Sequence, residues 1–157
     1  MFDQINGLPV HALVLHAAVV FVPLLAIGAI VYALVGRWRP KIGWVVVLLA
    51  VVAPICTFVT KESGERLYDR LLARGLSGPG KEILDDHMGF GTLTFWFSLA
   101  LGVVSLVTVL VTLRQVATLP RLAELGLSVA MVALAAISFY YVYRTGDSGA
   151  TAVWGTY

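Results

Sequence analysis

Three histidines carry most of the chemistry this sequence could perform. His11 and His16 stand in NGLPVHALVLHAAVVFVP, residues 6–23, at the head of a segment with no charged residue as far as Gly36, and His87 precedes another long apolar segment. An imidazole is costly in hydrocarbon, so each must have a use there. It can make a hydrogen bond that fixes helix register, carry a proton, or hold a metal. Spacing restricts the choice. Positions i and i+5 lie about 140° apart around a helix, unlike the i, i+4 pair that grips one metal. His11 and His16 therefore address different neighbours, and one of them, more easily His16, faces His87 across a bundle.

Three readings follow. In the first, each histidine bonds a nearby hydroxyl, carboxylate or carbonyl and is structural. In the second, His16 and His87 ligate the iron of a b-type haem, His11 or an arginine of the outer loop before His87 meets the propionates, and Phe21, Phe90, Phe95 and Trp96 wall the pocket. In the third, the imidazoles bind copper or zinc, with Asp85 or Asp86 close by. Cys56 is the only cysteine, which excludes an intrachain disulfide and a cysteine-based zinc site. GxSxG, HExxH, CxxC and phosphate-cradling loops are all missing. The chain thus reads as an electron-transfer or accessory protein rather than an enzyme. The mid-span polar groups are hydroxyls such as Thr57, Ser98, Ser105, Ser128 and Ser138, which can bond back to their own helix and so make a poor case for a transporter.

The elements that must position these residues are membrane spans. Of the residues 59% are hydrophobic and 13% charged, and soluble domains carry roughly twice that charge. Mean hydropathy is +0.90. A net charge of +2 with no basic patch gives no case for a nucleic-acid partner. Four apolar segments, about residues 10–36, 42–60, 88–113 and 122–143, are each long enough to cross the hydrocarbon core as a helix. The expected fold is all-α: one integral domain, a four-transmembrane-helix bundle in the lipid bilayer. The first segment does not read as a cleaved signal peptide, since no basic residue precedes it and it is too long.

Arg37, Arg39 and Lys41 crowd the first connection, and Arg114 and Arg121 the third, while the N-terminal stretch carries only Asp3. The positive-inside rule then places both termini and the second connection, 61–87, on the extracytoplasmic side of a plasma membrane. Trp38 and Trp44 suit an inner aromatic belt, and Tyr140, Tyr141, Tyr143 and Trp154 an outer one. KESGERLYDRLLARG in the second connection has the pattern of an amphipathic helix on the outer surface or capping the bundle, ended by Gly75 and Ser77-Gly78-Pro79-Gly80. KEILDDH starts a helix that runs into the third span. Residues 144–157 read as an outer tail. Pro23 and Pro54 should kink the first two spans, and Gly28, Ala29, Ala33, Gly89, Gly91, Gly126 and Ala130 offer small surfaces for helix packing. No internal repeat of fixed period is visible.

INGLPVHALVLHAAVV, KESGERL, DDHMGFG and DSGATAVWG together resemble a bacterial family of predicted four-span membrane proteins, domain of unknown function 2231, whose first helix opens on His-Pro-x-x-x-His-Phe-Pro. The resemblance covers almost the whole chain. It implies that His11, His16 and His87 occupy recurring histidine positions and that Gly149 and Trp154 lie in a recurring tail. It also implies a bacterial inner membrane. The chain departs from the pattern at Ala12, Ala17 and Ala18, and at Asp147, where a histidine would be expected.

The residues thus point first to a small redox-associated membrane protein with haem b, or copper or zinc, at His16 and His87, with His11 beside them and Asp85 and Asp86 behind. The alternative is an accessory or scaffold subunit of a larger membrane complex, or a homo-oligomer, with structural histidines and no cofactor.

Overall fold

The computed structural model describes residues 4–5, 8–113 and 120–155. Asp3 and Arg114, two of the charges that bear on orientation, lie outside these residues. Gln4–Ile5 (β1) and Leu8–Pro9 (β2) pair as a minimal antiparallel ladder. The other elements among the described residues are helical: α1 Val10–Leu34, a 3-10 turn Gly36–Trp38, α2 Arg39–Ala73, α3 Pro79–Leu113 and α4 Arg121–Trp154. All four long helices are long and apolar enough to cross a membrane. They form an up-down ring in which α1 packs on α2 and α4, α3 packs on the same two, and α1 and α3 face each other across the diagonal. The starts of α1 and α3 therefore share one end of the bundle with the finishes of α2 and α4.

The helices outrun the apolar segments. KESGERLYDRLLA is helical, but it continues α2 upright instead of lying on a surface, and α3 begins at Pro79, so only Arg74–Gly78 separates the two. The turn between them is specified locally. Gly75 takes φ +92, the amide of Gly75 donates to the Leu72 carbonyl, and that of Leu76 donates to the Leu71 carbonyl, a glycine-terminated Schellman cap. Gly78, at φ +65, makes the second left-handed step before α3. The Tyr68 hydroxyl donates to Asp85, which ties the extended end of α2 to the start of α3. Residues 144–154, expected as a tail, belong to α4.

Packing is inverted relative to a soluble bundle. Leu13, Ile27, Leu48, Ile55, Trp96 and Phe139 are exposed on the outside, as a lipid-facing surface requires. The axis is filled by Val22, Leu25, Ala29, Val46, Ala53, Leu101 and Ala135, with Ser98, Ser105 and Ser138 among them. Helices α1 and α2 continue through Pro23 and Pro54. Trp38 and Trp44 sit exposed at one end of the ring and Tyr140, Tyr143 and Trp154 towards the other. Where small residues matter differs from the expectation. Gly28 lies against Val46, but Gly89, Gly91 and Gly126 have open space beside them. The close approach is at Gly102, where an added Cβ would come 2.6 Å from the Ala50 carbonyl oxygen and 3.1 Å from Pro54.

At the end away from the histidines, Arg39 clamps the ring shut. Its guanidinium meets Glu124 at 2.5 Å, donates through Nε to the Tyr32 carbonyl at 3.0 Å, and reaches the Ala33 carbonyl at 3.2 Å. The carbonyls it takes are among those that the end of α1 leaves without intrahelical donors.

Because the atom facing Gly102 is backbone, Gly102→Ala is expected to destabilise the bundle by about 1–3 kcal/mol, the usual range for overpacking. Thermal unfolding in detergent reads this directly. Gly91→Ala, with open space beside it, serves as the control and should leave the midpoint within about a degree or two.

Candidate functional site

His11, in the first turn of α1, and His87, two turns into α3, point across the diagonal at one another. Their ring centroids are 6.2 Å apart with the planes at 88°. His16 is not part of the pair. It lies on the exposed side of α1 and its Nδ1–H donates back to the Ala12 carbonyl at 3.1 Å. Helix geometry does let only one of the two face inward, but that one is His11 and not His16. The expectation fails on depth. His11, in the first turn of α1, lies level with His87, whereas His16 is five residues further along the helix.

Each imidazole is held in the same way by the helix that follows it in sequence. His11 Nδ1 lies 3.0 Å from the Thr60 carbonyl and donates its proton there; Ser63 Oγ stands 3.5 Å away and itself donates to that carbonyl at 2.9 Å. Opposite, Ser148 Oγ donates to the Thr145 carbonyl at 3.1 Å. With its hydrogen committed, that oxygen accepts from His87 Nδ1 at 3.0 Å. Both rings therefore carry their proton on Nδ1 and leave a lone pair on Nε2. Two glycines make room for them. A Cβ on Gly64 would sit 3.1 Å from His11 Cε1, and one on Gly149 would sit 2.9 Å from His87 Cε1.

The holding segments are Thr60-Lys-Glu-Ser-Gly64 and Thr145-Gly-Asp-Ser-Gly149, one pattern written twice. The likeness extends through the bundle. Counted from the histidines, Val22, Leu25 and Ala29 of α1 correspond to Ser98, Leu101 and Ser105 of α3, and all six are fully buried. Counted from the threonines, Val46, Ala50 and Ala53 of α2 correspond to Met131, Ala135 and Ser138 of α4, again all buried. His16 corresponds to Thr92, whose hydroxyl likewise bonds back four residues, to Met88. The ring is thus two equivalent helical hairpins, and the histidine pair sits where their halves meet. The chain does contain a repeat, then, though not one of fixed period: His11 to Ser63 spans 52 positions while His87 to Ser148 spans 61. The matched Thr-x-acid-Ser-Gly pair is visible in the sequence, but only a comparison that allows unequal spacing finds it.

The remaining candidates lie elsewhere. Asp85 is engaged by Lys81 at 2.6 Å and by Tyr68, and Asp86 is exposed. Phe90 lies under the Arg144 guanidinium at 4.4 Å. Phe95 packs with Phe58 and with Trp96, which is exposed, and Phe21 packs against the core. These aromatics do not converge on one pocket. Among the described residues no group of three or more histidine, cysteine or acidic side chains could hold a metal, so the site is an imidazole pair.

In NOE spectra, ring protons of His11 and His87 should show mutual cross-peaks and His16 none with either. Gly149→Ala, with the shorter approach, should shift the His87 ring signals more than Gly64→Ala shifts those of His11.

No curated protein and no solved structure matches the chain. One family description does, over residues 7–156, which takes in both hairpins and all the residues that hold the imidazole pair. The chain belongs to the predicted membrane protein family DUF2231.

Proposed function

We propose that the working part of this membrane protein is the His11–His87 pair, and that it holds a transition-metal ion on the extracytoplasmic side. The observation that carries the reading is the arrangement of the two rings. Each Nδ1–H ends on a carbonyl or hydroxyl, the orientation that fixes the tautomer of a metal-ligating histidine and makes Nε2 the donor atom. Two M–N bonds of roughly 2.0–2.1 Å, made through Nε2 in line, set ring centres about 6 Å apart, close to the separation found. Perpendicular planes are compatible with this, since each ring can turn about its own M–N bond.

The donor set favours copper over zinc. Two neutral imidazoles with no carboxylate or thiolate suit Cu(I), whereas zinc takes four ligands. Copper bound there would supply one-electron redox chemistry. His11 and His87 would hold it, Thr60, Ser63, Ser148 and Thr145 would orient them, and Gly64 and Gly149 would admit the rings. The same axial spacing would serve a haem iron. A macrocycle across the His11–His87 axis would, however, extend towards α2 and α4, whose backbones close on the rings at Gly64 and Gly149. A bare ion therefore fits better than haem b.

Metal analysis of protein purified after growth with copper and ample haem supply tests the reading. The expected result is a stoichiometric ion, lost in His11→Ala and in His87→Ala and kept in His16→Ala. Sharp visible bands of low-spin haem would point to haem in its place. A properly folded protein with neither metal nor colour would leave the accessory reading, with structural histidines.

The orientation rests on Arg37, Arg39 and Lys41 in the short connection at the opposite end. Ser77→Cys in a Cys56→Ala background should react with a membrane-impermeant thiol reagent in intact cells. Labelling only after lysis would put the imidazole pair on the cytoplasmic face.

A further inference from the structure

Two equivalent hairpins meet at two equivalent junctions, α3 against α2 and α1 against α4. One junction is closed and the other is open. At the α2–α3 junction Phe95 packs on Phe58 with ring centres 5.7 Å apart. Beside them the Lys61 ammonium reaches Glu62 at 3.3 Å and Glu65 at 2.6 Å. Counted from the histidines and the threonines, the α1–α4 junction has Val19 in place of Phe95, Tyr143 in place of Phe58 and Gly146 in place of Lys61. One aromatic ring and the ammonium are therefore missing. A groove of about 390 Å³ is left between the helices, with Val19, Pro23, Phe139, Tyr143, Gly146 and Asp147 on its walls. Sites for small molecules run to roughly 300–1,000 Å³.

The open junction keeps an acid. Asp147 stands where Glu62 does, and Ala150 replaces Glu65. Asp147 makes no ion pair among the described residues. A carboxylate without a counter-charge is costly at the edge of a bilayer. The α1 wall supplies a second polar group at the same level. His16, Val19 and Pro23 follow one another at i, i+3 and i+7 and so share a stripe of α1. The Thr57–Ser98 bond, 2.9 Å, fixes the register at the closed junction, and the matching positions at the open one are Val142 and Val22. On that register His16 is level with Ser148, the neighbour of Asp147. Its Nδ1–H is committed to the Ala12 carbonyl, which leaves the Nε2 lone pair open.

The outer mouth of the groove thus offers two hydrogen-bond acceptors, and its lining holds no cation. The rest of the lining is mostly apolar. His16 lies six residues from the start of α1 and Asp147 seven from the end of α4. At 1.5 Å per residue both are about 10 Å below the helix ends, where the polar boundary of a bilayer meets its hydrocarbon.

We infer that this groove binds a membrane lipid with a primary ammonium head, the ammonium on Asp147 and His16 and an acyl chain along Val19, Pro23 and Phe139. The lipid supplies what the closed junction draws from its own side chains. Its head takes the place of the Lys61 ammonium, and its chain takes the place of the Phe95 ring. A primary ammonium has three N–H donors, as lysine does, and so can serve the carboxylate and the imidazole together. A choline head has none. The groove therefore distinguishes the two heads although both carry a positive charge.

Native mass spectrometry of full-length protein, stripped of lipid in detergent and titrated with dioleoyl phosphatidylethanolamine or dioleoyl phosphatidylcholine, tests this. One ethanolamine lipid should bind, preferred by about tenfold or more, the scale of one hydrogen bond to a charged group. Asp147→Asn should abolish the preference while keeping the unfolding midpoint. Val19→Phe, which fills the groove as Phe95 fills its counterpart, should exclude both lipids, and Gly146→Lys should remove the ethanolamine preference. Glu62→Gln, at the closed junction, should change nothing. Equal binding of the two lipids, or a preference that survives in Asp147→Asn, overturns the inference. So does an isoprenoid quinone copurifying at the groove, or a dimer of this chain that Val19→Phe dissociates.

Discussion

Everything at the histidine end depends on one contact made twice, the Nδ1–H of an imidazole ending on a Thr-x-acid-Ser-Gly turn of the next helix. In hydrocarbon an unpaired imidazole nitrogen costs too much to be left free. The Thr60 carbonyl and the Ser148 hydroxyl, both inside their helices, take the Nδ1–H groups of His11 and His87. The contact fixes the rotation of α1 against α2 and of α3 against α4, and the glycine ending each motif lets the ring lie flat against its partner helix. The pairing of the two rings follows from these two separate anchorages.

The fold is largely legible in the sequence because the solvent dictates it. Four segments of span length, nearly free of charge, admit few structures other than a helical bundle. Helix ends are less legible, for a related reason. Hydropathy marks where lipid stops, whereas α2 runs on to Ala73 and α4 to Trp154 through polar residues. The Schellman signal at Gly75 is in the sequence and does mark the end of α2.

The site is legible in part. Histidine is rare enough here that the right residue types stand out, and helix geometry correctly forbids His11 and His16 from sharing a target. Choosing between them needs the axial register of α1 against α3, two helices that face each other across the diagonal and that no sequence pattern aligns. The hydroxyls are also visible, and the expectation that they bond back to their own helices holds for Thr57 and Ser98. It fails for Ser105 and Ser138, and no pattern in the sequence separates these from the others.

The repeating unit is a pair of helices, and its parity has a geometric consequence. A chain that crosses a bilayer twice per unit returns to the side it left, so successive units enter from the same face and are related by rotation about the membrane normal. A unit of three crossings would have turned the second copy over and put the two imidazoles on opposite faces, a full membrane thickness apart. An even unit is thus what allows one side of the membrane to own a two-residue site contributed equally by both halves. It leaves the other face free to differ in residue type, and there the corresponding positions of α2 and α4, counted from the threonines, hold opposite charges, Arg39 and Glu124, which pair with each other.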